Sequence, residues 1–178
     1  MFLSFAKPIT TATSNFWRQA SMDLILWRHA EAQQVQDDLN GLNNDMQRPL
    51  TAKGKRQAAS MAKWLEKHLP DSTRVLTSPA VRAMETARAL DRKFKSVPSL
   101  APGADVASLL IAADWPESRQ PVLIVGHQPT IGHLASLLLF GTEHDMSIRK
   151  GSVWWFTNRS REDENKVMLR TAVCPDYL

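Results

Sequence analysis

Short unbroken apolar runs alternate along this chain with segments whose apolar residues recur every three or four positions. Asp23–Trp27 (DLILW), nearly continuous, and Pro121–Val125 (PVLIV) are runs of the first kind, and Arg74–Thr77 reads as another short strand. A strand that is apolar on consecutive positions is covered on both faces, as in a parallel sheet sandwiched between helices. From Thr51, a plausible N-cap, Ala58, Met61, Ala62, Leu65 and Leu69 form one helical stripe that Pro70 brings to an end. Ser78-Pro79 predicts a second helix start, with Ser78 as N-cap and Ala83, Ala87 and Leu90 on the buried face. Val106–Ala113 predicts a third helix. A fourth has Pro129 near its start, Ile131, Leu134, Ala135 and Leu138 on its stripe and Gly141 past its end. Ser152–Thr157 and Lys166–Ala172 read as two closing strands. The alternation predicts an α/β fold, a three-layer sandwich whose largely parallel central sheet is flanked by helices.

Two stretches fall outside the pattern. Residues 1–21 have no hydrophobic period, are rich in Ser and Thr, and carry Lys7 and Arg18 but no acid. They are read as an N-terminal extension, expected to be disordered, ahead of a single domain over 22–178. Their composition loosely resembles a transit peptide, but no apolar core of a secretory signal follows the charge. Gln33–Arg48 is polar and rich in Asn, Asp and Gln, and reads as a long loop, a kind of segment that in compact domains is commonly functional.

Composition adds exclusions. The net charge of +4 is spread rather than clustered, with half of it in residues 1–21, so nucleic-acid binding is not expected. No apolar run reaches the ~18–20 residues that cross a bilayer, so no membrane partner is expected and a cytoplasmic location is the default. The single Cys174 excludes an internal disulfide and any Cys-built metal site.

The candidate chemistry sits just past the predicted strands. Arg28 and His29 follow the first, Arg82 lies in the first helical turn after the second, and His127 follows the third. In an open α/β sheet, ligands bind beyond the carboxyl ends of the strands, which places all four on one rim. Arginine offers a rigid fork matched to phosphate oxygens. A neutral histidine offers a nucleophilic nitrogen. Together they predict a phosphoryl pocket in which one His attacks phosphorus while the other groups hold its equatorial oxygens. His68, His133 and His144 have no such company and are read as structural. No cofactor or metal is expected, because carboxylate neighbours are lacking.

The segments LWRHAEA (26–32), RPLTAKG (Arg48–Gly54), TSPAVRAMETA (Thr77–Ala87) and VGHQPTIGHL (Val125–Leu134) resemble, in order, those of the histidine phosphatase superfamily. They are most similar to its short SixA-type phosphohistidine phosphatases. The resemblance implies a phosphoglycerate-mutase-like fold, His29 as phosphorylated nucleophile, and Arg28, Arg82 and His127 completing the phosphate pocket. Arg48 is a candidate outer substrate contact. The implied partner is a phosphorylated protein such as a phosphotransfer domain; the oligomeric state is not read from the sequence.

There are two departures from the family pattern. Ala30 stands where the commonest first motif has Gly, so position 30 must take a negative φ. The Glu or Asp that protonates an alcohol leaving group in other members has no recognisable counterpart, Asp105 in PGADVASLL being the nearest candidate. Without such an acid, P–N bonds are expected to be cleaved in preference to P–O bonds, because an imidazole leaves more readily than an alkoxide. The competing readings are a small-molecule phosphatase or phosphoglycerate-mutase-like transferase, and a non-catalytic phosphate-binding module.

Overall fold

The computed structural model describes residues 22–34, 45–161 and 164–178. The extension 1–21 and most of the predicted loop 33–48 lie outside the described residues. The elements run β1 (Met22–Arg28), α1 (Ala52–Glu66), β2 (Arg74–Thr77), α2 (Val81–Arg88), β3 (Phe94–Ser96), α3 (Val106–Ala113), β4 (Val122–Gly126), α4 (Thr130–Phe140), β5 (Val153–Arg161) and β6 (Glu164–Val173). Short 3₁₀ turns occur at Asp45–Gln47, Pro98–Leu100 and Pro175–Tyr177.

One six-stranded sheet takes the order β3-β2-β4-β1-β5-β6. β1, β2, β3 and β4 pair in parallel, and β5 runs antiparallel to both β1 and β6. The apolar runs become its centre because each strand packs on both faces. Leu24 and Leu26 of β1 and Ile124 of β4 join α3 and α4 in one buried cluster. Their neighbours Ile25 and Trp27 of β1, with Leu123 and Val125 of β4, join α1 and α2 in the other. This two-residue alternation between two cores is the three-layer α/β sandwich that the pattern predicts. Among the described residues, no helix is long and apolar enough to cross a membrane.

Helix boundaries follow local chemistry. Thr51 caps α1 by accepting the Gly54 N–H at 2.9 Å, as expected. Regular helix ends at Glu66, ahead of Pro70, although the Leu69 N–H still reaches the Leu65 carbonyl at 2.8 Å. The α2 start is a correction. Helix begins at Val81 with Ala80 in the cap position, and Ser78 lies outside it. The Ser78 N–H instead bonds the Val125 carbonyl at 3.1 Å, extending the pairing of β2 with β4 by one residue and holding Ser78 at the sheet's rim. Two strand readings also needed adjusting. β3 has no counterpart among the predicted strands, because its Phe94-Lys95-Ser96 is too short and polar to signal one. β5 and β6 are longer than predicted, since cross-strand pairing carries them through polar residues.

Candidate active site

Sheet register brings the four candidates together. Arg28 pairs with Gly126, so His29 and His127 leave neighbouring parallel strands at the same level. The His29 N–H bonds the Gly126 carbonyl at 3.1 Å, and the two imidazole centroids lie 5.1 Å apart. Arg82, on the first turn of α2, is buried below the same rim. Its guanidinium and that of Arg48 both act electrostatically on His29 and His127.

The backbone around His29 is held from every side. The Gly151 N–H lies 3.1 Å from the Arg28 carbonyl and 3.2 Å from that of His29, while the Trp27 indole donates to the Gly151 carbonyl at 3.1 Å. The Ala30 N–H donates to Thr86 Oγ1 at 3.1 Å, and that hydroxyl donates to the Arg82 carbonyl at 2.7 Å. Ala30 avoids positive φ, as its Cβ requires; among the described non-glycine residues only Asp114, the C-cap of α3, has one. On the outer side the N-terminus of α1 presses on the loop. A Cβ at Gly54 would sit 1.9 Å from the Glu31 carbonyl oxygen, so only glycine permits this approach.

These contacts set the state of each ring. His29 Nδ1 lies 2.7 Å from the Ala30 carbonyl, which can only accept. Nδ1 therefore carries the proton, and Nε2 keeps its lone pair. Burial pushes the His29 pKa down to about 4; the Ala30 hydrogen bond opposes this and the Arg82, Arg28 and Arg48 charges reinforce it. His127 is pushed down to about 3 by burial, then by His29, Arg82 and Arg48, with Asp45 opposing. Both imidazoles are thus neutral at physiological pH.

The arginines are partly engaged by the protein. Arg28 Nη1 donates to the Ile148 carbonyl at 2.5 Å. Arg82 grips Asp45 end-on, Nη1 to its carbonyl at 2.6 Å and Nη2 to Oδ2 at 2.9 Å. Arg48 takes the other carboxylate oxygen, with Nε at 2.9 Å and Nη2 at 2.6 Å, and its Nη1 reaches the Gln33 carbonyl. Arg28 Nε, Arg82 Nε and His127 Nδ1 remain buried without a protein partner. Buried polar groups are nearly always paired, so two arginine N–H groups and a histidine nitrogen left unpartnered near one rim make it a candidate anion site.

The acid candidate is engaged as a helix cap. Asp105 caps α3 by accepting the Ser108 N–H at 2.8 Å, and that hydrogen bonding holds its carboxyl below the usual range. Glu31, bonded to the Thr51 hydroxyl, and Asp45, gripped by Arg48 and Arg82 against its own desolvation, are likewise lowered. Among the described residues, no three His, Cys, Asp or Glu side chains gather as a metal centre requires. His68 bonds the Trp64 carbonyl, His133 pairs with Asp145 and His144 with the Thr142 hydroxyl, away from the pocket residues.

Sequence reasoning missed three contributors. Ser78, read as a helix cap, instead has its hydroxyl 2.7 Å from His127 Nε2. Thr86 lies one turn after Arg82 on the same helix face, a spacing that could have flagged it. Asp45 stands in a polar stretch with no distinguishing signal.

Known proteins match this chain at several levels. The model for the histidine phosphatase superfamily (branch 1) matches residues 24–103. The phosphohistidine phosphatase SixA of Escherichia coli (strain K12) is 30% identical over 128 residues, covering 67% of this chain and 76% of that protein. The phosphohistidine phosphatase SixA homolog of Haemophilus influenzae is 29% identical over 157 residues, covering 78% and 92%. A solved protein histidine phosphatase SixA, complexed with tungstate, superposes with a TM-score of 0.67 at 23% identity over 88% of this chain and 99% of that one, and so shares the fold.

Proposed function

Since the chain belongs to the histidine phosphatase superfamily and is a phosphatase, we propose that it removes phosphoryl groups from phosphohistidine on a protein, such as a phosphotransfer domain, through a phosphorylated His29. The observation that carries this reading is the pairing of a neutral His29, its Nε2 lone pair free, with buried unpartnered N–H groups on Arg28 and Arg82 and an unpartnered His127 Nδ1.

In the first step His29 Nε2 attacks phosphorus and the P–N bond of the substrate breaks. The leaving imidazole, protonated on its other nitrogen from solvent, departs neutral. His29 then carries the phosphoryl group on Nε2 while its Nδ1–H stays on the Ala30 carbonyl. Arg28 Nε, Arg82 Nε and His127 Nδ1–H hold the three equatorial oxygens as charge spreads over them. Water next attacks phosphorus, the P–Nε2 bond breaks with its electron pair returning to Nε2, and inorganic phosphate leaves with the oxygen and one proton of the water while the other proton passes to phosphate or solvent. Arg48, tied to Asp45, adds positive charge at the outer edge.

The preference for P–N bonds is supported by the acids. Glu31, Asp45 and Asp105 are all held below their ordinary pKa, so none is kept protonated to serve an alkoxide. Relatives named as phosphohistidine phosphatases point the same way.

Acid-quench trapping with a ³²P-phosphohistidine protein, followed by site mapping, tests the nucleophile. Label should map to His29 and vanish in His29→Ala; undiminished label in that variant sinks the assignment. Side-by-side kcat/KM on a phosphohistidine protein and on phosphate esters tests the substrate class, and equal or better turnover of an ester refutes it.

A further inference from the structure

Ser78 has no part in the chemistry above, yet it is fully buried and, among the described residues, its hydroxyl is the hydrogen-bond partner of the His127 ring. Its place is fixed by backbone on both sides. The Ser78 N–H bonds the Val125 carbonyl at the end of β4, two residues before His127 itself. The Ser78 hydroxyl oxygen accepts the Ala80 N–H at 3.2 Å, just before α2 begins. The hydroxyl hydrogen still needs an acceptor, and His127 Nε2, at 2.7 Å, is the one the described residues place beside it.

We infer that Ser78 is a positioning residue that donates to His127 Nε2, fixing the neutral ring as the Nδ1–H tautomer so that its unpartnered Nδ1–H serves as the donor to the phosphoryl oxygens. A hydrogen bond at one ring nitrogen decides which of the two carries the proton. The opposite tautomer would place a lone pair where negative charge develops, replacing an attraction with a repulsion. The buried state of His127, neutral with a pKa of about 3, makes the choice of tautomer consequential, because a cationic ring would donate from both nitrogens. Ser78 thus does for His127 what the Ala30 carbonyl does for His29, with opposite polarity. An acceptor frees the nucleophile's Nε2, and a donor loads the other ring's Nδ1.

The inference rests on the phosphatase reading of the site, and its test separates the two. Two-bond ¹H–¹⁵N correlation spectra of the full chain, with His127 assigned by comparison with His127→Gln, report the tautomer directly at neutral pH without any substrate. The expected result is the Nδ1–H form in the wild type, with the Nδ1 resonance moving when tungstate is added. Ser78→Ala should show the Nε2–H form or a mixture, with kcat on a phosphohistidine protein lowered by about tenfold or more, since misdirecting one oxyanion donor costs part of the ~10²–10³ that removing it costs. A wild-type ring in the Nε2–H form overturns the inference, and so does a Nδ1 resonance that ignores bound tungstate. The wild-type spectrum decides even where Ser78→Ala does not fold. A wild-type protein that binds tungstate with the expected shift but turns over no phosphohistidine leaves Ser78 in its role and refutes the proposed substrate instead.

Discussion

Thr86→Val isolates a single hydroxyl at the heart of the site. Valine keeps the shape and β-branching of threonine, so neither a cavity nor a new rotamer restriction is introduced. What is lost is the acceptor for the Ala30 N–H, at 3.1 Å, and a donor to the Arg82 carbonyl, at 2.7 Å. Ala30 and Thr86 are both fully buried, so water does not replace the missing partner. An orphaned buried N–H costs about 1–3 kcal/mol. For a chain of this size that corresponds to a drop in Tm of roughly 2–12 °C. The functional cost follows from the next link. The Ala30 carbonyl orients His29 Nδ1–H, and a peptide freed at its N–H side no longer holds that carbonyl in one place. With His29 in its proposed role as nucleophile, its misplacement should lower kcat for phosphoenzyme formation by about tenfold to a hundredfold. Thermal and urea unfolding, together with single-turnover kinetics at saturating substrate, measure both effects, and Thr86→Ser, which keeps the hydroxyl, should recover the rate. A Tm within 1 °C of the wild type together with an unchanged rate would refute the reasoning.

Three other outcomes are expected. With folded-state pKa values of about 4 and about 3 against 6.5 for the free imidazole, His29 and His127 refuse protons that the unfolded chain accepts below pH 6.5. Their contribution to stability is therefore undiminished above about pH 6.5 and is lost as pH falls toward 4 for His29 and toward 3 for His127, by roughly 1–2 kcal/mol per histidine between pH 6.5 and 5; urea unfolding of wild type and His29→Asn at those two pH values checks the sign and the share. Asp105→Asn should lower phosphohistidine hydrolysis less than about tenfold, because that carboxylate caps α3, and a thousandfold loss in kcat would identify it as a general acid. Asp45→Asn removes an anion that grips Arg82 and Arg48, so phosphate or tungstate inhibition should tighten by about tenfold, and a weakened inhibition constant would contradict this.

The local periodicities of the chain were sufficient to determine the sandwich and to place the candidate residues on one rim. Leu24–Trp27 and Pro121–Val125 are apolar on consecutive positions, the pattern of a strand covered on both faces, and Leu24 and Ile25 belong to different cores. Arg28, His29 and His127 were legible because each directly follows such a run, and strand ends in a parallel sheet share a rim whatever the details of packing. Tertiary structure decided the rest, because those features depend on contacts between residues far apart in the chain. Ser78 carried a sound local signal for a helix cap, yet pairing of β2 with β4 claims its backbone and His127 claims its hydroxyl. Asp105 looked like a spare acid until the start of α3 was seen to need it as a cap. The free lone pair of His29 and the engaged fork of Arg82 follow from where the Ala30 carbonyl and Asp45 come to rest in space. Sequence periodicity records which face of an element is buried, but it holds no record of which hydrogen-bond partner arrives from another element, and in this site burial holds both histidines neutral while the partners decide which ring nitrogen is engaged.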